Sequence, residues 1–222
     1  MINIEQYKQF MKIDSFPAFT LGSFTLDISG NSFSVAKAEY SFIPPKHKLL
    51  LPANYDIPKF MLFHELTHIL DAERYSNGEK RHDYWLTGYM EYHASQVELM
   101  EALGAQTIDD AITFSMLDHI NGMQWTVQQY VNNKLETAKK MIVDSSPTMR
   151  IDGLNVFFNF LGLKSICVLF ATDYSENYTY QEILTRMSTL QLSAIKSTMQ
   201  GFSVDVEKTV MLYAQVERTI IT

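Results

Sequence analysis

Residues 63 to 71 read FHELTHILD, which places His64 and His68 four positions apart with Glu65 directly after the first. On a helix, side chains at i and i+4 share one face about one turn apart, so two imidazoles at this spacing can reach a single tetrahedral ion. Glu65 projects about 100° around the helix from His64, a direction suited to hydrogen-bonding a metal-held water rather than to ligation. Zinc lowers the pKa of such a water toward neutrality, and a glutamate placed there takes its proton as a carbonyl is attacked. With 6 histidines in 222 residues, H-E-x-x-H should arise by accident about 0.01 times in such a chain. The flanking KFMLF and IL would bury this helix, and buried histidines need partners.

A catalytic zinc takes three protein ligands and keeps a fourth position open. Position 74, six residues after His68, is Arg74, which excludes the all-histidine metzincin pattern. A glutamate on the following helix is the other common solution. Glu91 lies 23 residues after His68, and Glu98 lies one heptad later on the same helical face. His93, turned about 160° from Glu91, and His82, in a predicted loop, are weaker candidates.

The elements that must position these groups follow from composition and pattern. A hydrophobic content of 46% in 222 residues supports one sizeable core. The net charge of -7, a pI near 5.3 and the lack of a basic run argue against a nucleic-acid backbone as partner. The single Cys167, within KSICVLF, reads as a buried thiol and fits a reducing compartment. MINIEQYKQFMKID has no apolar signal-peptide stretch, so a cytoplasmic location is expected. Residues 151 to 171 are apolar but interrupted by Asp152, Asn155, Asn159 and Lys164, which favours a buried helix over a membrane span.

After a short helix over 3 to 12, AFTLGSFTLDI and NSFSVAKAEYSFI flank the turn-forming SGN and predict a hairpin, with KLLLP as a third strand. From Asp56, a candidate cap, the period shifts toward 3.6 and KFMLFHELTHILDAE runs on without a breaker. RYSNGEKRHDYW reads as a loop, and Thr87 as the cap of GYMEYHASQVELMEAL, closed by Gly104. Beyond it the pattern predicts one long helix to about Val143, or two broken near Asn121 and Gly122, then helices over roughly 150 to 170, 178 to 199 and 203 to 220.

FHELTHILD followed by MEYHASQVEL resembles the ImmA/IrrE family of zinc metallopeptidases, a gluzincin-like group associated with mobile genetic elements and stress regulation. That family pairs H-E-x-x-H with a glutamate followed at plus three by Ala and at plus four by Asp or Asn. Ala94 stands at plus three from Glu91, so the resemblance implies Glu91 rather than Glu98 as third ligand. KHKLLLP leading through ANYDIP into the motif helix also looks like the family's layout. Ser95 stands at plus four, Thr67 replaces a commoner Gly, and the usual Leu-Leu-x-Pro segment is missing. Support for a histidine ligand is then expected from Ser95, Glu98 or Asp71. The resemblance spans about residues 40 to 104.

The reading is an α+β chain. A small antiparallel sheet packs on the H-E-x-x-H helix and a second ligand-bearing helix to form a zincin-like core over 1 to 104, and a helical subdomain over 105 to 222 packs on it. One zinc per chain would be held by His64, His68 and Glu91, with Glu65 as general base. The resemblance implies a protein or peptide substrate, such as a repressor of a mobile element, and neither nucleic acid nor membrane is an expected partner. A catalytically weak zinc-binding regulator is the rival reading. Ala38 to Phe42 or Lys48 to Leu51 could offer a sheet edge to an extended substrate. Tyr89, Tyr92, His93 and His82 are the candidate oxyanion donors. The twelve methionines read mainly as filling of a helical core.

Overall fold

The change of period near residue 56 marks a real change of architecture in the computed structural model, which describes residues 3–25, 36–40 and 47–222. Helix α1 (Ile4–Met11) is capped by the Asn3 side chain, and strands β1 (Phe19–Phe24), β2 (Lys37–Tyr40) and β3 (His47–Pro52) follow. The sheet is mixed, where sequence predicts an antiparallel one. Its order is β1-β3-β2, with β1 parallel and β2 antiparallel to β3. The KLLLP strand buries His47 and Leu49 and takes the centre, so β1 and β2 do not pair as a hairpin. Alternation and turn residues show that strands exist but do not name their partners. The SGN turn itself and residues 41 and 42 of the expected edge lie outside the described residues.

Helix α2 (Lys59–Tyr75) starts at an extended Pro58 with no side-chain cap, so Asp56 does not play that part. Residues 80 to 85, expected within a loop, form the short helix α3 (Lys80–Trp85). Asn77 starts it by accepting the Glu79 amide and donating its own amide to Asp83. Helix α4 (Thr87–Ala102) closes at Gly104, whose φ of 88° needs a residue without Cβ strain. The helix expected from residue 108 begins only at α5 (Val127–Ile142), behind the capping box of Thr126 and Gln129. Before it, aspartates divert the backbone into turns. Asp110 accepts the amides of Gln106 and Thr107, and Asp118 that of Ser115.

Helix α6 (Pro147–Phe170) carries Pro at its start and a Ser146 cap. The single helix expected over 178 to 199 is instead two short ones, α7 (Gln181–Leu184) and α8 (Thr189–Thr198), separated by the Ser188–Gln191 capping box. Helix α9 (Val206–Ile220) follows its Asp205 cap.

Helix α6 is the hub of the helical half, packing against both α4 and α5. It crosses α4 so closely at Gly162 that a Cβ there would strike the Tyr92 carbonyl. One apolar cluster reaches from Tyr7 to Ile220 and includes Met100, Met116 and Met187. By length and hydropathy α6 could cross a membrane, yet 67% of its most apolar window is buried inside the protein, as in a core helix. Cys167 on α6 is buried, and burial pushes its thiol up to about 12.

Candidate metal centre

Helices α2 and α4 pack side by side, and the polar groups along their seam are the ones the motif singles out. His64 and His68 bring their Nε2 atoms to 3.0 Å of each other. Across the seam Glu91 sets Oε2 3.7 Å from His64 Nε2 and Oε1 3.8 Å from His68 Nε2. His64, His68 and Glu91 thus form a group that could hold a metal ion, with one donor atom from each within 4.8 Å of the others. Donors about 2.0–2.1 Å from a tetrahedral ion stand roughly 3.3 Å apart, so the observed spacings need only small rotations. Two imidazole nitrogens and a carboxylate oxygen are also a chemical set that suits zinc.

The local charges favour a cation. Burial lowers the basicity of His64, but the Glu91 and Glu98 carboxylates outweigh it and raise this imidazole to about 10. Burial brings His68 down to about 4. Burial would raise Glu91, yet His68, His64 and Asn159 together hold it down to about 2.

Of the three groups expected to steady a ligand, Glu98 does so directly. Its Oε2 stands 2.6 Å from His64 Nδ1, and its Oε1 accepts the hydroxyl of Tyr130 on α5. Ser95 turns its hydroxyl back to the Glu91 carbonyl, one helical turn earlier. Asp71, fully buried, accepts from His93 Nδ1 at 2.8 Å. Asn159, to which sequence gave no part in the site, and Thr67, noted there only as a departure from the family pattern, also act here. Asn159 on α6 donates to Glu91 Oε2 at 3.4 Å. Thr67 donates to the Phe63 carbonyl and bonds the Tyr7 hydroxyl, tying α1 to the motif helix.

Glu65, next to His64 on α2, reaches from this charged group to the sheet. Its Oε2 accepts the backbone N–H of Ala38 at 2.7 Å, and burial raises its carboxyl. Ala38 lies opposite Leu49 in the β2–β3 pairing. Because amides alternate in direction along an antiparallel strand, its N–H faces away from β3, along the outer edge of β2. Lys48 to Leu51, the other expected edge, lies in the central strand. The candidate oxyanion donors have other engagements. Tyr92 donates to the Gly201 carbonyl, His82 bonds Glu207 on α9, His93 bonds Asp71, and Tyr89 packs edge-on against Tyr75 and tilted over His93. No protein-family model, curated protein or solved structure matches the chain.

Proposed function

We propose that this protein is a zinc-dependent metallopeptidase, cytoplasmic and binding one zinc per chain, that hydrolyses peptide bonds of a protein substrate. The observation that carries the reading is the position of Glu65. It follows His64 in the three-residue metal-binding group and reaches the outward amide of edge strand β2. The reaction needs an open strand edge for the substrate backbone and, beside it, a carboxylate able to move a proton.

His64, His68 and Glu91 would hold the zinc, which supplies a Lewis acid that polarises a carbonyl and brings a water's pKa near neutrality. Glu65, raised by burial, is suited to accept the water's proton and pass it to the leaving amine. An extended peptide would lie along β2, its carbonyl taking the Ala38 N–H now used by Glu65 and freeing that carboxylate for catalysis. Ser95 turns its hydroxyl to the backbone, and Glu98 and Asn159 contact His64 and Glu91 instead. By its resemblance to ImmA/IrrE peptidases, the chain would act on few sites in a regulatory protein such as a repressor of a mobile element.

Metal analysis together with a peptidase assay tests this. Purified protein should carry about one zinc per chain, lost in the His64→Ala, His68→Ala double variant. Glu65→Gln should retain the metal and lose at least about 100-fold in hydrolysis of a candidate repressor. Equal cleavage by Glu65→Gln and wild type would remove the enzymatic claim.

A further inference from the structure

The stretch of α6 on either side of residue 159 is hydrocarbon. Phe157, Phe158, Phe160, Leu161 and Leu163 are all essentially without solvent exposure. Asn159 interrupts this run at 6% exposure, with its Nδ2 on Glu91 and its Oδ1 without a hydrogen-bond partner among the described residues. A buried amide with half its capacity unmet costs stability, and a leucine, branched alike but apolar, would remove that cost. Packing therefore does not account for Asn159, but its contact with Glu91 does. Tyr130 on α5 is similar: 5% exposed, it directs its hydroxyl to Glu98, whose other oxygen stands against His64.

Resting on the proposed metal site, we infer that Tyr130 and Asn159 are positioning residues for its ligands, so that the helical C-terminal half serves to orient the metal centre. Tyr130 acts through Glu98, whose Oε2 stands 2.6 Å from His64 Nδ1 and would limit how far the ring can turn, leaving Nε2 for the metal. Asn159 acts directly: it holds one oxygen of Glu91, restricting rotation of the carboxylate and defining which oxygen is presented. Partners of this kind commonly change metal affinity by about 10 to 100-fold. The two contacts come from different helices, but the ligands they steady stand 3.7 Å apart and would share one metal, so their losses should be coupled.

The test measures zinc affinity by competition with a chromophoric chelator, and the absorption spectrum of the cobalt-substituted protein, in full-length wild type, Tyr130→Phe and Asn159→Leu. Tyr92→Phe is the control, because it removes a buried hydroxyl bond from the same helical packing without touching a ligand. Each positioning variant should bind zinc about 10-fold or more weakly and shift the cobalt d–d bands, which report ligand geometry rather than fold. Tyr92→Phe should lower thermal stability and leave both metal readouts unchanged. If Asn159→Leu does not fold, Asn159→Thr, too short to reach Glu91, replaces it. Zinc affinities within twofold of wild type and unshifted cobalt bands would overturn the inference. A wild-type protein that takes up no zinc would instead overturn the metal site on which it rests.

Discussion

The carboxylate of Glu65 and the backbone amide of Ala38 stand 2.7 Å apart, joining the motif helix α2 to the outer edge of strand β2. This one bond links the sheet to the motif helix and gives the buried Ala38 amide a carboxylate partner.

Ala38→Pro deletes the N–H donor at a position that contributes no amide to the sheet ladder, so β2 itself should tolerate it. That amide opposes the upward push of burial on Glu65. Its removal should raise the Glu65 carboxyl further, which carboxyl-carbon NMR titration would detect. An unchanged midpoint would show that the bond does not influence the charge on Glu65.

Glu91→Ala removes one of three ligands and should abolish or greatly weaken zinc uptake, read by metal analysis. Glu98→Ala should leave the metal in place and reduce affinity about 10 to 100-fold, since Glu98 touches His64 at the nitrogen away from the metal group. The opposite pattern would exchange their roles.

Gly162→Ala should destabilise the protein, because the new methyl group would meet the Tyr92 carbonyl and the Ser95 side chain on α4. Overpacking of this kind costs about 1–3 kcal/mol and should lower Tm by roughly 5 °C in calorimetry. A neutral result would mean that α6 moves aside freely.

Glu176 offers a pH test away from the metal. Burial would raise its carboxyl, but the Lys164 ammonium at 2.6 Å, the Tyr174 hydroxyl and Lys196 hold it down to about 2. A folded-state value below the ordinary 4.5 stabilises the fold at pH above about 4.5, and this contribution fades as pH falls toward 2. The group is partly exposed, so solvent screening keeps the effect near or below about 1 kcal/mol. Glu176→Gln should lower Tm at pH 7 and match wild type near pH 2.

The group that could hold a metal was legible in sequence because i, i+4 spacing translates directly into a shared helical face. Choosing Glu91 over Glu98 needed the family resemblance, since both occupy one stripe of α4. Tyr130 and Asn159 were hidden for a physical reason. They lie 32 and 68 positions from the carboxylates they hold, and no local period encodes a contact made by packing of separate helices. Local competition from side chains explains the missed turns over 105 to 126. Asp110 and Asp118 satisfy backbone amides there, while the apolar residues that suggested a helix still reach the core. The order of the strands was likewise decided by which one could be buried, a property of the assembled sheet.

The separation of ligands from their holders has a consequence for how the protein is made. During synthesis His64, His68 and Glu91 all leave the ribosome before Tyr130, and Asn159 emerges later still. A nascent chain ending near Gly104 carries every ligand but nothing to aim Glu91 or to brace Glu98. Firm metal loading is then expected to follow completion of α6 rather than to guide the earlier steps of folding, so a prematurely terminated chain would be a poor competitor for cellular zinc.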